Sequence, residues 1–179
     1  LLFFGFSGYW HKNFIQKPRN KEHDVNFEEA IKNEKIRNVM VPRGIVVTRK
    51  TTYGQVVAQL QGQKRFAAII LDKQKVVGIF TERDALKRGL LQGASPETPI
   101  EQLMTPDPVI VDPDDNLAVA IRLMHEGKYR HLPIVDRNNQ YLGIVSVRDI
   151  VMYLSENYPY EVYNQPPDPH KVSAAPEGA

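Results

Sequence analysis

The sequence contains no cysteine. That excludes disulfides, zinc–cysteine sites and a cysteine nucleophile, and it fits an intracellular protein. Charge of one sign is not in excess: 23 Lys and Arg against 21 Asp and Glu leave a formal net charge of +2. So small a surplus gives no ground for a nucleic-acid partner or an anionic membrane. Long apolar runs are missing as well. Leu1 to Trp10 is apolar and aromatic but stops at His11 and Lys12, short of the roughly 20 residues of a membrane span. No basic stretch precedes it, as a signal peptide requires. The sequence does not begin with Met. We read this segment as a tail that packs on the rest of the chain or on a partner, with a truncated targeting or membrane segment as the alternative. Catalytic signatures are equally scarce. The sequence has no Gly-x-x-x-x-Gly-Lys-Ser/Thr loop, which disfavours a P-loop NTPase, and no Gly-x-Ser-x-Gly elbow. His11, His23, His125, His131 and His170 show no metal-ligand spacing, and His125 and His131 read as surface or edge residues.

What is present is a repetition. Gly78-Ile79-Phe80-Thr81-Glu82-Arg83-Asp84 returns as Gly143-Ile144-Val145-Ser146-Val147-Arg148-Asp149. Val39-Met40-Val41-Pro42 returns as Leu103-Met104-Thr105-Pro106, and Tyr53, Val56, Val57 and Leu60 are echoed by Leu117, Ala120, Ile121 and Met124. The repeating unit is about 60 residues long, a whole structural element set rather than a stray peptide. A chain of 179 residues holding two such units is expected to fold them against each other, because either alone is near the lower limit for burying a core. The pattern predicts two similar halves about a pseudo-twofold axis, with two equivalent places for a ligand.

Turn residues and apolar spacing divide the chain into residues 1–35 (apolar segment, polar linker and short helix), repeat 1 over 36–95, repeat 2 over 96–158 and a tail over 159–179. Asn26 is the expected cap of a helix over Phe27–Asn33, with Ile36–Met40 continuing or restarting it before Pro42. In repeat 1 the expectations are a strand at Ile45–Val47 and a helix capped by Thr51 or Thr52 that runs to about Gln61. Strands at Phe66–Leu71 and Val76–Phe80 follow, then a helix capped by Thr81 that runs to about Leu91. Repeat 2 follows the same order: strand Val109–Val111, helix Asn116–Glu126, strands His131–Val135 and Tyr141–Val145, helix Val147 to about Glu156. The tail carries Pro159, Pro166, Pro167, Pro169 and Pro176 and is expected to be extended. Each unit is β-α-β-β-α, giving an α/β fold of two sheets and about four helices.

The Met-x-Pro segments, Arg130-His131-Leu132-Pro133-Ile134-Val135 and the Gly143–Asp149 motif resemble the cystathionine-β-synthase-type (CBS) domain, whose tandem pair is called a Bateman module. The resemblance covers about residues 36–158. Repeat 2 matches more closely; repeat 1 has Phe66-Ala67-Ala68 where repeat 2 has His131-Leu132-Pro133. The resemblance implies a disc-like module with two clefts that binds adenosine-containing ligands: AMP, ADP or ATP first, S-adenosylmethionine or NAD-type nucleotides as further members. It implies regulation of a partner protein rather than catalysis, no required cofactor, a cytoplasmic location and a homodimer formed through helical faces. Leu86, Leu90, Ile150, Val151 and Leu154 are the expected apolar residues of those faces. A docking module with empty clefts is the alternative.

The residues support that implication in chemical terms. Thr81-x-x-Asp84 and Ser146-x-x-Asp149 read as helix capping boxes and, because they recur at matching places, as ribose clamps. A carboxylate has two acceptor oxygens for the two hydroxyls of a diol. The hydroxyls of Thr81 and Ser146 and the free amides at the helix starts suit a phosphate. Arg148, Arg130, Lys128, Arg83 and Arg65 are the candidate phosphate partners. Val46, Ala68 and Ile79 in repeat 1, with Ile110, Pro133 and Ile144 in repeat 2, are the candidate walls of an adenine slot. Gly78 and Gly143 read as points where a backbone comes close to a ligand.

Overall fold

A computed structural model describes residues 27–42, 44–159 and 162. The two repeats build separate sheets, and each sheet is completed by a strand from the other repeat's leading segment. In repeat 1, β2 (Ile45–Thr48), β3 (Ala67–Asp72) and β4 (Lys75–Thr81) are joined by β5 (Thr105–Pro106), in the order β2-β3-β4-β5. In repeat 2, β6 (His131–Val135) and β7 (Tyr141–Ser146) are joined by β1 (Val41–Pro42), in the order β1-β7-β6. The hairpins β3/β4 and β6/β7 are antiparallel, and both carry a register shift, at Ile70/Leu71 and at Ile134/Val135. Repeat 1 opens with a parallel pair, Ile45–Thr48 beside Ala68–Leu71. The matching strand expected at Val109–Val111 shrinks to a single parallel bridge, Val111 to Ile134. Pro133 explains the loss. It stands where repeat 1 has Ala68, and it has no amide to donate to the carbonyl of Val109.

The helices are α1 (Phe27–Asn33), α2 (Tyr53–Gly62), α3 (Glu82–Asp84), α4 (Leu117–Gly127) and α5 (Val147–Asn157). Asn26 lies outside the described residues. Thr52 caps α2 in a full capping box with Gln55. Asn116 heads α4 without capping it, because its side-chain oxygen accepts from Lys35 Nζ at 2.6 Å instead. The last helix of repeat 1 departs from expectation. Its α-helical turn ends at Asp84, and Ala85–Leu90 winds as a π-helix. The Tyr53 hydroxyl donates to the Ala85 carbonyl at 3.3 Å, the acceptor an α-helix would offer to the Gly89 amide. Gly89 lets the Tyr53 ring approach: a Cβ there would lie 2.5 Å from the ring. In repeat 2 the counterparts are Leu117 and Leu154, which make no such polar contact, and α5 stays α-helical.

The exchange of leading segments extends to the cores. Ile36 and Val39 lie in one apolar cluster with Leu117, Leu132, Ile134 and Val145 of repeat 2. Ile100, Leu103 and Met104 lie in another with Val56, Ile70 and Phe80 of repeat 1. A third cluster, Ala67, Ile69, Ile79 and Ile144, joins the two sheets. The Met-x-Pro and Gly-Ile motifs interlock within this exchange. A Cβ on Gly78 would lie 2.3 Å from Met104 Sδ, and one on Gly143 would lie 2.6 Å from Met40 Cε and 2.7 Å from the Val41 carbonyl. These glycines therefore admit a methionine of the opposite repeat's leader.

Candidate functional site

Thr81 and Ser146 end β4 and β7 and cap the helices that follow. In repeat 1, Asp84 Oδ2 accepts from the Thr81 amide at 3.0 Å and the Thr81 hydroxyl at 2.7 Å, and the Asp84 amide donates to Thr81 Oγ1 at 3.4 Å. In repeat 2, Asp149 Oδ2 accepts from the Ser146 amide at 2.9 Å and its hydroxyl at 2.6 Å, and the Asp149 amide donates to Ser146 Oγ at 3.2 Å. The capping reading of both motifs holds. Each cap occupies one carboxylate oxygen and leaves the other, Oδ1, for different work.

The ends of both helices border a cleft of about 930 Å3, within the roughly 300–1,000 Å3 usual for small-molecule sites. Repeat 1 contributes Phe66, Ile79, Thr81 and Asp84, with Arg83, Lys87 and Arg88 from the following helix. The Thr105–Val109 segment forms one wall, and repeat 2 contributes Lys128, Arg130, His131, Ser146 and Arg148. Six Lys and Arg thus face three acids, Glu82, Asp84 and Asp107. A surplus of cations focused in a cleft attracts an anionic ligand although the whole chain is nearly neutral. Arg148 reaches across the seam, its guanidinium carbon 5.8 Å from the centre of the Phe66 ring. His131 faces Ser146 across the β6/β7 ladder. Burial holds its imidazole below the usual histidine pKa; Arg130 pushes the same way and Asp149 opposes them. A neutral imidazole offers one donor and one acceptor at the cleft.

Of the residues proposed from sequence, Thr81, Asp84, Ser146, Arg83, Lys128, Arg130, Arg148 and Ile79 line this cleft. Asp149 sits one residue behind Arg148 and is not among the lining residues. Arg65 is exposed and outside the lining, and its charge acts on Tyr141. Ala68 and Pro133 are fully buried, and Ile144, at 8% exposure, lies in the cluster between the sheets. Val46 and Ile110 are exposed and lie outside the cleft. Sequence reasoning missed Phe66, Arg88, Thr105 and, as a cleft residue, His131. Drawing the β6/β7 hairpin in register would have found His131, since it pairs with Ser146. Arg88 and Thr105 meet Asp84 only through the strand exchange, which no spacing reveals. Ile150, assigned to an exposed helical face, is a core residue at 5% exposure, and Leu154 packs against the same core. Both point inward because α5 packs on β7 and turns them toward the repeat 2 core. Among the described residues no group of His, Cys, Asp and Glu has the makings of a metal site, and no helix is long and apolar enough to cross a membrane.

Two duplicated units with exchanged leaders, meeting at a cation-lined cleft, define a tandem-repeat module. The chain belongs to the CBS domain family: the CBS domain model matches residues 36–90 and 100–156. It is similar to the CBS domain-containing protein YhcV of Bacillus subtilis, 32% identical over 123 residues, which are 68% of this chain and 86% of that protein. A longer relative, the CBS domain-containing protein CBSCBSPB5 of Arabidopsis thaliana, is 35% identical over 82 residues, 45% of this chain and only 15% of that protein. Among solved structures, CBSX2 in complex with AMP superimposes with a TM-score of 0.61 at 26% identity, covering 69% of this chain and 97% of that one.

Proposed function

We propose that this chain is a non-catalytic regulatory module that binds an adenine nucleotide, AMP, ADP or ATP, between its two CBS repeats and signals the occupancy to a partner protein. The observation that carries the reading is the cleft itself. The capped carboxylate Asp84 lines it beside the cap residues Thr81 and Ser146, and six Lys and Arg side chains from both repeats share the lining. A ribose diol fits the carboxylate, and a phosphate fits the cations. The AMP bound by CBSX2 supports the same ligand class. A ligand at about 100 times its dissociation constant adds about 2.7 kcal/mol of stability, so AMP, ADP or ATP should raise the melting temperature. Asp84→Asn with Asp149→Asn retains an acceptor for each cap and removes both charges; that double variant should not respond. A response equal to the parent's overturns the ribose assignment.

A second reading, a docking module with empty clefts, draws on exposed apolar side chains along the helices after both caps. Leu86, Leu90 and Leu91 are 52, 70 and 72% exposed, and Val151 and Met152 are 53 and 47% exposed. It predicts no thermal response to any adenosine ligand and a melting temperature that rises with protein concentration.

A further inference from the structure

We infer that Tyr53 and Gly89 are positioning residues for the cleft: by holding Ala85–Leu90 in a π-helix they bring Arg88 to the lining, where an α-helix would bring Leu86. The lining itself records the change of winding. On α5, Val147 and Val151 line the cleft, as do Arg148 and Met152, each pair four residues apart. That is the spacing of one α-helical face. On the matching helix of repeat 1 the lining pairs are Glu82 with Lys87 and Arg83 with Arg88, each five residues apart. A π-helix, whose bonds run between residues five apart, puts those positions on one face. The Leu91 amide makes such a bond to the Leu86 carbonyl at 3.0 Å. Leu86, the counterpart of Val151, is left outside the lining and 52% exposed. The winding thus exchanges a leucine for a guanidinium in the cleft wall.

Two contacts hold this winding. The Tyr53 hydroxyl donates to the Ala85 carbonyl at 3.3 Å, and its ring occupies the space that a Cβ on Gly89 would fill. The ring is fixed in turn, edge-on to Phe80 with the centroids 6.1 Å apart, and the Tyr53 amide donates to the Thr98 carbonyl at 2.8 Å. Repeat 2 has Leu117 and Leu154 at these places and keeps its α-helix. Once in the wall, Arg88 is aimed by its neighbours. Its Nη1 donates to the carbonyls of Leu103, at 3.2 Å, and Met104. Its Nε lies 3.8 Å from Asp84 Oδ1, which also accepts from the Thr105 hydroxyl at 3.4 Å. None of these contacts uses Nη2, so that nitrogen is available to an anionic oxygen. Tyr53 and Gly89 do not line the cleft and act on a ligand through Arg88. The inference rests on an anion entering the cleft, as the nucleotide reading above requires, and names what recruits it.

Three full-length chains test this: the parent, Tyr53→Leu with Gly89→Ala, and that double variant with the exposed Leu86 deleted. Through-hydrogen-bond NMR couplings read the winding. The Leu86 carbonyl should pair with the Leu91 amide in the parent and with the Leu90 amide in the double variant. In calorimetric titrations the double variant should bind AMP, and inorganic pyrophosphate, about tenfold more weakly, the scale of one lost charge-assisted hydrogen bond. Adenosine, which carries no charge, should bind both chains equally. Deleting Leu86 gives Arg83 and Arg88 the four-residue spacing of an α-helical face, and should return AMP affinity to within about threefold of the parent's. If the double variant does not fold, Tyr53→Phe, which loses only the donor, should weaken AMP about threefold and spare adenosine. A variant that keeps the π pairing, an α-wound one with the parent's AMP affinity, an equal loss for adenosine, a deletion that rescues nothing, or a Tyr53→Phe chain that binds AMP as the parent does would each overturn the inference and leave nucleotide binding in place. A parent that binds pyrophosphate but no AMP, ADP or ATP would overturn the nucleotide reading alone, and one that binds none of them would overturn both.

Discussion

Repeat 1 and repeat 2 share a cap to within a few tenths of an ångström: Asp84 and Asp149 take their Thr and Ser partners through the same oxygen at 2.7 and 2.6 Å. One residue further on they diverge. After Asp84 the helix winds as π under Tyr53, whereas after Ser146 it runs as α for 11 residues. Phe66 in one cleft wall is His131 in the other, and Arg88 is Tyr153. The lesson is that the duplicated motif fixes the cap, while the surroundings of each cap are set by side chains outside the motif.

The comparison can be broken most severely at the exchanged leaders. Ile36 and Ile100 are both fully buried in the other repeat's core. Ile36→Ala and Ile100→Ala should each cost about 2–5 kcal/mol, and each should shift one common urea transition rather than split it. Two separate transitions would show that the repeats fold independently.

The interlocking glycines come next. Gly143→Ala brings a methyl against the Val41 carbonyl, which is backbone, whereas Gly78→Ala meets only the flexible Met104 side chain. Overpacking costs about 1–3 kcal/mol, and Gly143→Ala should sit at the upper end and Gly78→Ala at the lower. Equal losses in chemical denaturation would mean that the leaders give way equally.

Loss of a cap costs about 0.5–2 kcal/mol, so Thr81→Ala and Ser146→Ala should each fall near 1 kcal/mol by the same measurement. Asp149→Asn, which retains the cap's acceptor, should fall below them. If it does not, its charge is needed for folding.

The smallest effect is one of pH, and it belongs to repeat 2 alone. The folded pKa of His131 lies below its ordinary value of 6.5. Above that value both folded and unfolded chains keep the ring neutral, and the stability it contributes is fully present. As pH falls from 6.5 through the depressed folded value, the unfolded chain takes up a proton first and the contribution is lost. His131→Phe, which copies repeat 1, should therefore flatten stability between about pH 7 and pH 5. An unchanged slope would move the titration to another group.

Much of this was legible in the sequence. The duplication, the order of elements and the capping role of Thr81, Thr52 and Ser146 follow from local rules that the structure obeys. Three features were not legible, each for a physical reason. β1 and β5 are two residues long and end in proline, so no propensity or alternation marks them. The π-helix arises from Tyr53 and Gly89, which are far apart in sequence and brought together only by packing. The engagement of Asp84 by Thr105 depends on strand exchange. Of the residues that local chemistry singled out, Asp84, Arg83, Lys128, Arg130 and Arg148 line the cleft while Ala68 and Pro133 are fully buried, since a core residue and a cleft wall look alike in one dimension.

The exchanged leaders also constrain how the chain is made. When residues up to about 95 have left the ribosome, the N-terminal repeat still lacks Ile100, Leu103 and Met104, the groups that close its core. Meanwhile Ile36 and Val39 wait for partners more than 70 residues downstream. A nascent or truncated first half therefore exposes apolar surface that its own residues cannot cover, and it stays prone to association until the downstream leader is made.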